Sequence, residues 1–271
     1  MSEWNFMDYD SKDNLLGVLR QEAGGLLVLA SEPATWEAPT AAGHWQVRDV
    51  VGHLVDTTEG YFTSFAAARG TGRAPEALGV RGMDKHVDAG AQAFRGTPQG
   101  ELVGRLQNDF AKMTDMFDAL SADEWGGLQV PHGYMGPLPA FFYPIFQLVD
   151  FAVHAWDVRE GLGVNHGLSG DAADLLVPLN FIVWSATHNC GADTKPFEIG
   201  VRVTGRNGGD TKLRVGPDGV AFEPADIEAC PAILEFDPGT LILTAYQRMN
   251  AGTSRGDPAL IDRFRNLFFK I

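Results

Sequence analysis

The sequence predicts an all-α four-helix bundle followed by a small α+β domain. Three observations carry that expectation. Apolar residues recur at three- and four-residue steps up to about residue 190, and in short strand-like runs after it. The length of 271 residues suits one to two domains. The charge is also unevenly divided. Residues 1–165 hold 11 of the 21 basic and 22 of the 35 acidic residues, a balance of −11, which leaves −3 of the total −14 to the remainder. The expected organisation is a bundle over 1–165, a linking helix over 166–190 and an α+β domain over 191–271.

A first helix is expected over 13–30, where Leu15, Leu16, Leu19, Leu26, Leu27 and Leu29 recur. A second starts near Val47, with Val50, Val51, Leu54, Tyr61, Phe62 and Phe65 on its stripe. Gly70, Gly72, Pro75, Gly79 and Gly82 then predict a long loop. Thr97-Pro98 reads as an N-cap and first-turn pair for a third helix carrying Leu102, Leu106, Phe110, Met113, Phe117 and Leu120. A second loop is expected over 126–139. The fourth helix, over 141–160, tolerates Pro144 only in its first turn. Ser169 can cap a fifth helix over 170–187, which Pro178 would kink. Strands are expected at 196–204, 211–215, 219–223 and 231–236, with turns at Gly208-Gly209 and Pro217-Asp218-Gly219. Asp237-Pro238 and Asp257-Pro258 each announce a closing helix.

Composition excludes several functions. A balance of −14 argues against a general nucleic-acid or anionic-membrane binder, both of which need a basic surface. Two cysteines, Cys190 and Cys230, are too few for a disulfide scaffold, a Cys-rich zinc module or an iron–sulfur cluster. Neither has a basic neighbour in sequence, so both read as inert thiols of a reducing, cytoplasmic compartment. The acidic N-terminus lacks the regions of a signal peptide. The most apolar stretches, 138–156 and 175–187, are interrupted by Pro144, Asp150, His154, Pro178 and Asn180 and are not membrane spans.

Of the seven histidines, only His53 and His154 fall well inside expected helices, on or beside the apolar stripe. Asp150 and His154 are four apart and share a helix face. With His53 from a facing helix they make two imidazoles and a carboxylate. Three protein ligands and an open position is the catalytic pattern for a divalent metal. Asp49 and His53 have the same spacing, so spacing alone leaves Asp49 as a rival ligand. A lone helical histidine is more often a hydrogen-bonded core residue, which keeps a metal-free bundle open. Asp157, one turn past His154, reads either as a partner orienting an imidazole or as part of a solvated face, and Asp56 has the same two readings beside His53. Loop 70–82 does not match a phosphate-binding pattern, but it places Arg73 and Arg81 where a guanidinium can bind a substrate carboxylate.

Three segments resemble a known family. Trp45-Gln-Val-Arg-Asp-Val-Val-Gly-His53-Leu-Val-Asp56 is similar to the start of the second helix of the DinB-like metalloenzymes, and Asp150-Phe-Ala-Val-His154-Ala-Trp-Asp-Val-Arg159-Glu-Gly161 to their fourth. The tail, Cys230-Pro-Ala-Ile-Leu-Glu-Phe-Asp-Pro-Gly-Thr240 and Gly256-Asp-Pro-Ala-Leu260, resembles a sterol-carrier-like C-terminal domain. Together they resemble the mycothiol-dependent maleylpyruvate isomerase family over nearly the whole chain.

The resemblance implies a zinc site of His53, Asp150 and His154, and selects Asp150 over Asp49. The family's pattern has Glu at the carboxylate position, and Asp150 is one methylene shorter. It further implies mycothiol, or another low-molecular-weight thiol, as cofactor. The thiolate would add to the activated C=C bond of an unsaturated keto acid, and rotation followed by loss of thiol would give the trans product. Such an anionic substrate needs local positive charge, for which Arg81 and Arg248 are the candidates, at a site between the two domains. Thiol transfer or hydrolysis by metal-bound water at the same site, and a non-enzymatic binding protein with a structural metal, are the alternatives.

Overall fold

The computed structural model describes residues 2–164 and 166–270 and forms two compact units, Met1–Ala172 and Ala173–Ile271. Asn165, where the first domain is expected to end, lies outside the described residues.

The first unit is built on four long helices, α1 (Lys12–Ser31), α2 (Val47–Ala68), α4 (Gln99–Asp118) and α6 (Phe142–Gly161). Between them lie α3 (Met83–Gln92), α5 (Ala122–Gly127) and a ribbon of β1 (Gln129–His132) and β2 (Gly136–Pro139). α1, α2 and α4 bury most of the stripe their spacing dictates, with Leu27, Leu29, Phe62 and Phe110 only partly buried. Leu15, Leu16, Leu19 and Leu26 of α1 are buried, as are Val50, Val51, Leu54 and Phe65 of α2 and Leu102, Leu106, Met113 and Phe117 of α4. Each such side chain is worth about 1.5–3 kcal/mol when fully buried. α6 is apolar nearly all round because it is buried nearly all round. Between residues 142 and 158 only Phe142, Phe146 and Asp150 are not buried. Pro144 sits in the first turn, where its missing N–H costs no bond.

Several local expectations are corrected here. The first unit is not all-α, because 129–139 forms an antiparallel ribbon, with Val130 opposite Leu138. Its Pro and Gly residues hide the strand pattern. The long Gly-rich loop ends in α3, whose short sequence buries only Ala91. Thr97 does not cap α4: Pro98 is the extended residue before the helix, which begins at Gln99.

In the second unit, β3 (Phe197–Val203), β4 (Gly209–Gly216), β5 (Gly219–Pro224), β6 (Ala232–Phe236) and β7 (Thr253–Gly256) form one sheet in the order β5-β4-β3-β6-β7. β3 and β6 are parallel and the other pairs antiparallel. Gly216 pairs with Gly219 across the two-residue turn Pro217-Asp218. Alternation assigns the faces. Ile199, Val201 and Val203 face a core shared with Val177, Phe181 and Trp184 of α7 (Gly170–Ala186) and with Ile261 and Phe264 of α9 (Pro258–Arg265). Arg202, from the alternate positions, pairs with Asp210, Glu228 and Glu235. α7 contains Pro178, and Ser169 Oγ accepts the Ala172 N–H at its start. Asp237 and Asp257 cap α8 (Pro238–Ala245) and α9 through their carboxylates. β7 is unforeseen because all four of its residues are exposed and none is apolar. Among the described residues no helix is long and apolar enough to cross a membrane.

α3 meets α2 at Gly52, the residue before His53. A Cβ there would lie 2.5 Å from Ala91 O and 3.3 Å from the Phe94 ring. Overpacking of that kind costs about 1–3 kcal/mol, against roughly 1 kcal/mol by which Ala outranks Gly in a helix. Gly52→Ala is therefore expected to lower the thermal midpoint by a few degrees. Gly60→Ala, on the same helix with open space around it, is expected to raise it.

Candidate metal centre

α2 and α6 bring His53, Asp150 and His154 together. One donor atom from each lies within 4.8 Å of the others, the one such convergence of three His, Cys, Asp or Glu side chains among the described residues. His53 Nε2 is 3.7 Å from Asp150 Oδ1. The two imidazole centroids are 5.0 Å apart and nearly perpendicular. Both histidines are buried, and Asp150 is partly exposed.

The rings are held from behind. His154 Nδ1 and Asp157 Oδ2 are 2.9 Å apart, and Asp157 is fully buried. A carboxylate accepting at Nδ1 fixes the proton there and leaves the Nε2 lone pair for a Lewis acid. That contact decides the reading of Asp157 as an orienting partner. Thr57 Oγ1 lies 3.4 Å from His53 Nδ1. Asp56 is exposed and abuts Gly90 of α3. Trp45 walls the site, its ring 5.2 Å from His53 and 5.7 Å from His154. Its Nε1–H donates to Asp88 Oδ1 at 2.8 Å, and that bond, with one from Gln92, holds the Asp88 carboxyl below its usual range.

Asp49, the rival ligand, is committed elsewhere. Its carboxylate accepts from Arg95 Nε and Nη2 at 2.7 and 2.9 Å and from the Gln46 N–H at 2.9 Å. Burial would raise its pKa, but the Arg95 and Gln46 hydrogen bonds outweigh burial and lower it. It ties the start of α2 to Arg95, a residue with no distinguishing signal in the sequence.

His132 is the other residue that sequence reasoning passed over, because Pro131-His132-Gly133 reads as loop. It ends β1, buried, with its ring 5.9 Å from Tyr143 and 5.5 Å from Phe146 of α6 and 6.3 Å from Tyr61 of α2. Burial pushes its pKa down to about 4, against a smaller upward pull from the Asp150 charge.

The remaining candidates are placed as follows. Arg81 is exposed in the turn before α3, and Arg248 follows α8 in the second unit, where its Nη1 donates to Tyr246 O. Cys190 and Cys230 are free thiols, and burial raises the pKa of both, which leaves them poor nucleophiles.

Residues 19–159 match the family described as the mycothiol maleylpyruvate isomerase N-terminal domain. The chain belongs to the mycothiol maleylpyruvate isomerase family. Two crystal structures of the mycothiol-dependent maleylpyruvate isomerase share its fold, one of them of a histidine-to-alanine variant. Each has a TM-score of 0.60 and covers 91% of this chain and 94% of that one, at 13% identity for the enzyme and 12% for the variant. At that identity the likeness is one of fold: a helical N-terminal region followed by a sheet-containing C-terminal domain. No curated protein sequence matches the chain.

His132 makes stability depend on acid. Above the ordinary histidine pKa of 6.5 the ring is neutral in both the folded and unfolded chain. Between 6.5 and about 4 the unfolded chain takes up the proton and the fold does not, so stability falls as pH falls. The loss is complete below about 4, at roughly 3 kcal/mol. Denaturant melts across that range are expected to show a steeper fall for the wild type than for His132→Asn, which lacks the titrating ring.

Proposed function

We propose that this protein is a thiol-dependent metalloenzyme acting on a small unsaturated or electrophilic acid. Mycothiol is the thiol, and cis–trans isomerisation of a maleylpyruvate-like acid is the reaction. The observation that carries this reading is the convergence of His53, Asp150 and His154 in a chain of this family. In finer terms, the first unit is a DinB-like four-helix bundle and the second a sterol-carrier-like domain.

The donor set fits a divalent metal, zinc above all. Two imidazoles and one carboxylate supply three protein ligands, and the Asp157 contact orients one of them. The group, when bound, supplies Lewis acidity that favours the thiolate form of a thiol and polarises a substrate oxygen.

The chain's own residues do the rest. His154 presents Nε2 because Asp157 holds Nδ1. Asp150 adds a negative charge beside His53, which favours a cation. Trp45 covers both rings and keeps bulk water from them. Both cysteines have raised pKa values, so the reactive sulfur is borrowed. The two free thiols also suit a reducing, cytoplasmic compartment. Arg81 and Arg248 bind the carboxylates of the acid, an electrostatic requirement in a chain of charge −14.

Elemental analysis of protein purified without a histidine tag is expected to find about one divalent ion per chain, absent from His53→Ala and His154→Ala. Asp157→Asn should weaken metal affinity about 10- to 100-fold in a chelator competition. Turnover of a maleylpyruvate-like acid should require mycothiol, and undiminished turnover without any thiol would overturn the proposal. Arg81→Ala and Arg248→Ala are each expected to lower kcat/KM about tenfold or more, the worth of one charge-assisted contact. A change within twofold in both would remove the anion-binding role.

A further inference from the structure

Of the stretch 142–158 on α6, the three positions that are not buried, Phe142, Phe146 and Asp150, are spaced by four. They form one stripe on one helix face. Phe142 and Phe146 stack at 5.5 Å, so the stripe is an apolar track that ends at the Asp150 carboxylate.

His132 stands beside this track, its ring 5.5 Å from that of Phe146 and near enough to Asp150 to feel its charge. Its Nδ1 accepts two backbone N–H bonds, from Tyr134 at 3.2 Å and Met135 at 3.3 Å. Nδ1 is therefore unprotonated, and the ring hydrogen sits on Nε2. No described residue accepts a hydrogen bond from that Nε2–H. His132 is 8% exposed, and its Nε2 is not among the enclosed polar atoms that lack a partner. The Nε2–H therefore opens on accessible space, where water or a ligand oxygen can accept from it. Tyr61, Tyr134 and Tyr143 crowd the same ring and keep it in place.

We propose that His132 binds the substrate: its Nε2–H donates a hydrogen bond to an anionic oxygen, a carboxylate or keto oxygen, of a small acid lying along the Phe146–Asp150 track. The inference rests on the reading that such an acid binds beside His53, Asp150 and His154. Burial keeps the imidazole neutral, so it acts as a hydrogen-bond donor and not as a countercharge.

Two substitutions separate this role from the structural one. Asn at 132 can offer an acceptor near the position of Nδ1 for the ribbon turn, but no donor near Nε2. Gln can reach the Nε2 position with an amide N–H and gives up the turn acceptor. The probe is succinate, a small unreactive dicarboxylate, titrated into metal-loaded protein by calorimetry. The same titration is followed through the ring nitrogens of 15N-histidine-labelled protein.

In wild type, succinate is expected to shift the His132 Nε2–H resonance. In His132→Asn, the succinate Kd and the substrate KM are expected to rise about 10- to 100-fold, the worth of a hydrogen bond to a charged oxygen. Its kcat should change less than about threefold, with metal content and thermal midpoint retained. His132→Gln should stay within about fivefold of wild type in Kd.

The reverse pattern, with Asn normal and Gln impaired, assigns His132 to the ribbon turn and overturns the proposal. So does a wild-type protein that binds no succinate. Loss of succinate binding in His132→Asn, in a protein that needs no thiol for turnover, removes the functional reading and keeps this one. Normal thiol-dependent turnover with an unchanged His132→Asn does the opposite.

Discussion

α6 is buried from Tyr143 to Val158 except at Phe146 and Asp150, so every polar group it carries there needs a partner inside the protein. The His154–Asp157 contact answers that need for two of them at once, at 2.9 Å and out of water. Broken by removing one partner, it would leave a buried charge or an unpaired ring nitrogen, at a cost of several kcal/mol. Kept, it sets the tautomer of His154 and leaves the Nε2 lone pair open. The same helix carries one exception. Gln147 is fully buried with neither amide atom bonded, a desolvation penalty of about 1–3 kcal/mol.

Charge is arranged around that centre with little waste. Asp49, the other carboxylate at the right spacing from His53, is neutralised by a two-point contact with Arg95. That leaves Asp150 as the carboxylate facing the two imidazoles. Asp88 does not enter the site either: it accepts from the Trp45 indole and so fixes the aromatic wall that lies against both histidines. In a chain of charge −14, burial keeps His132 neutral at neutral pH, so it adds no charge beside Asp150 there.

Much of the helical framework was legible because its period is physical. The stripes of α1, α2 and α4 bury most of the residues that a 3.6-residue repeat selects. The Asp-Pro starts of α8 and α9 were legible for a similar reason, since a carboxylate before a first-turn proline caps in almost any context. The ribbon β1–β2, α3 and β7 were not. Each is short, rich in exposed or turn-forming residues, and held by a neighbour distant in sequence. His132 was hidden with the ribbon. Its significance lies in two backbone N–H groups of a turn that no residue pattern announced.

The sequence by itself determined the helical faces, the change from helix to sheet near residue 190, and the identity of the donor atoms, because periodicity and residue chemistry are local properties. It also carried the family resemblance on His53, Asp150 and His154. Spacing left Asp49 and Asp150 equal and the resemblance favoured Asp150; the tertiary structure supplied the physical reason, since the two differ in what packs against them. Arg95, 46 residues from Asp49, made that choice through two hydrogen bonds. Asp157 is the same case on a shorter scale. Its position one turn from His154 is local, but its role follows from burial, and burial belongs to the packed molecule.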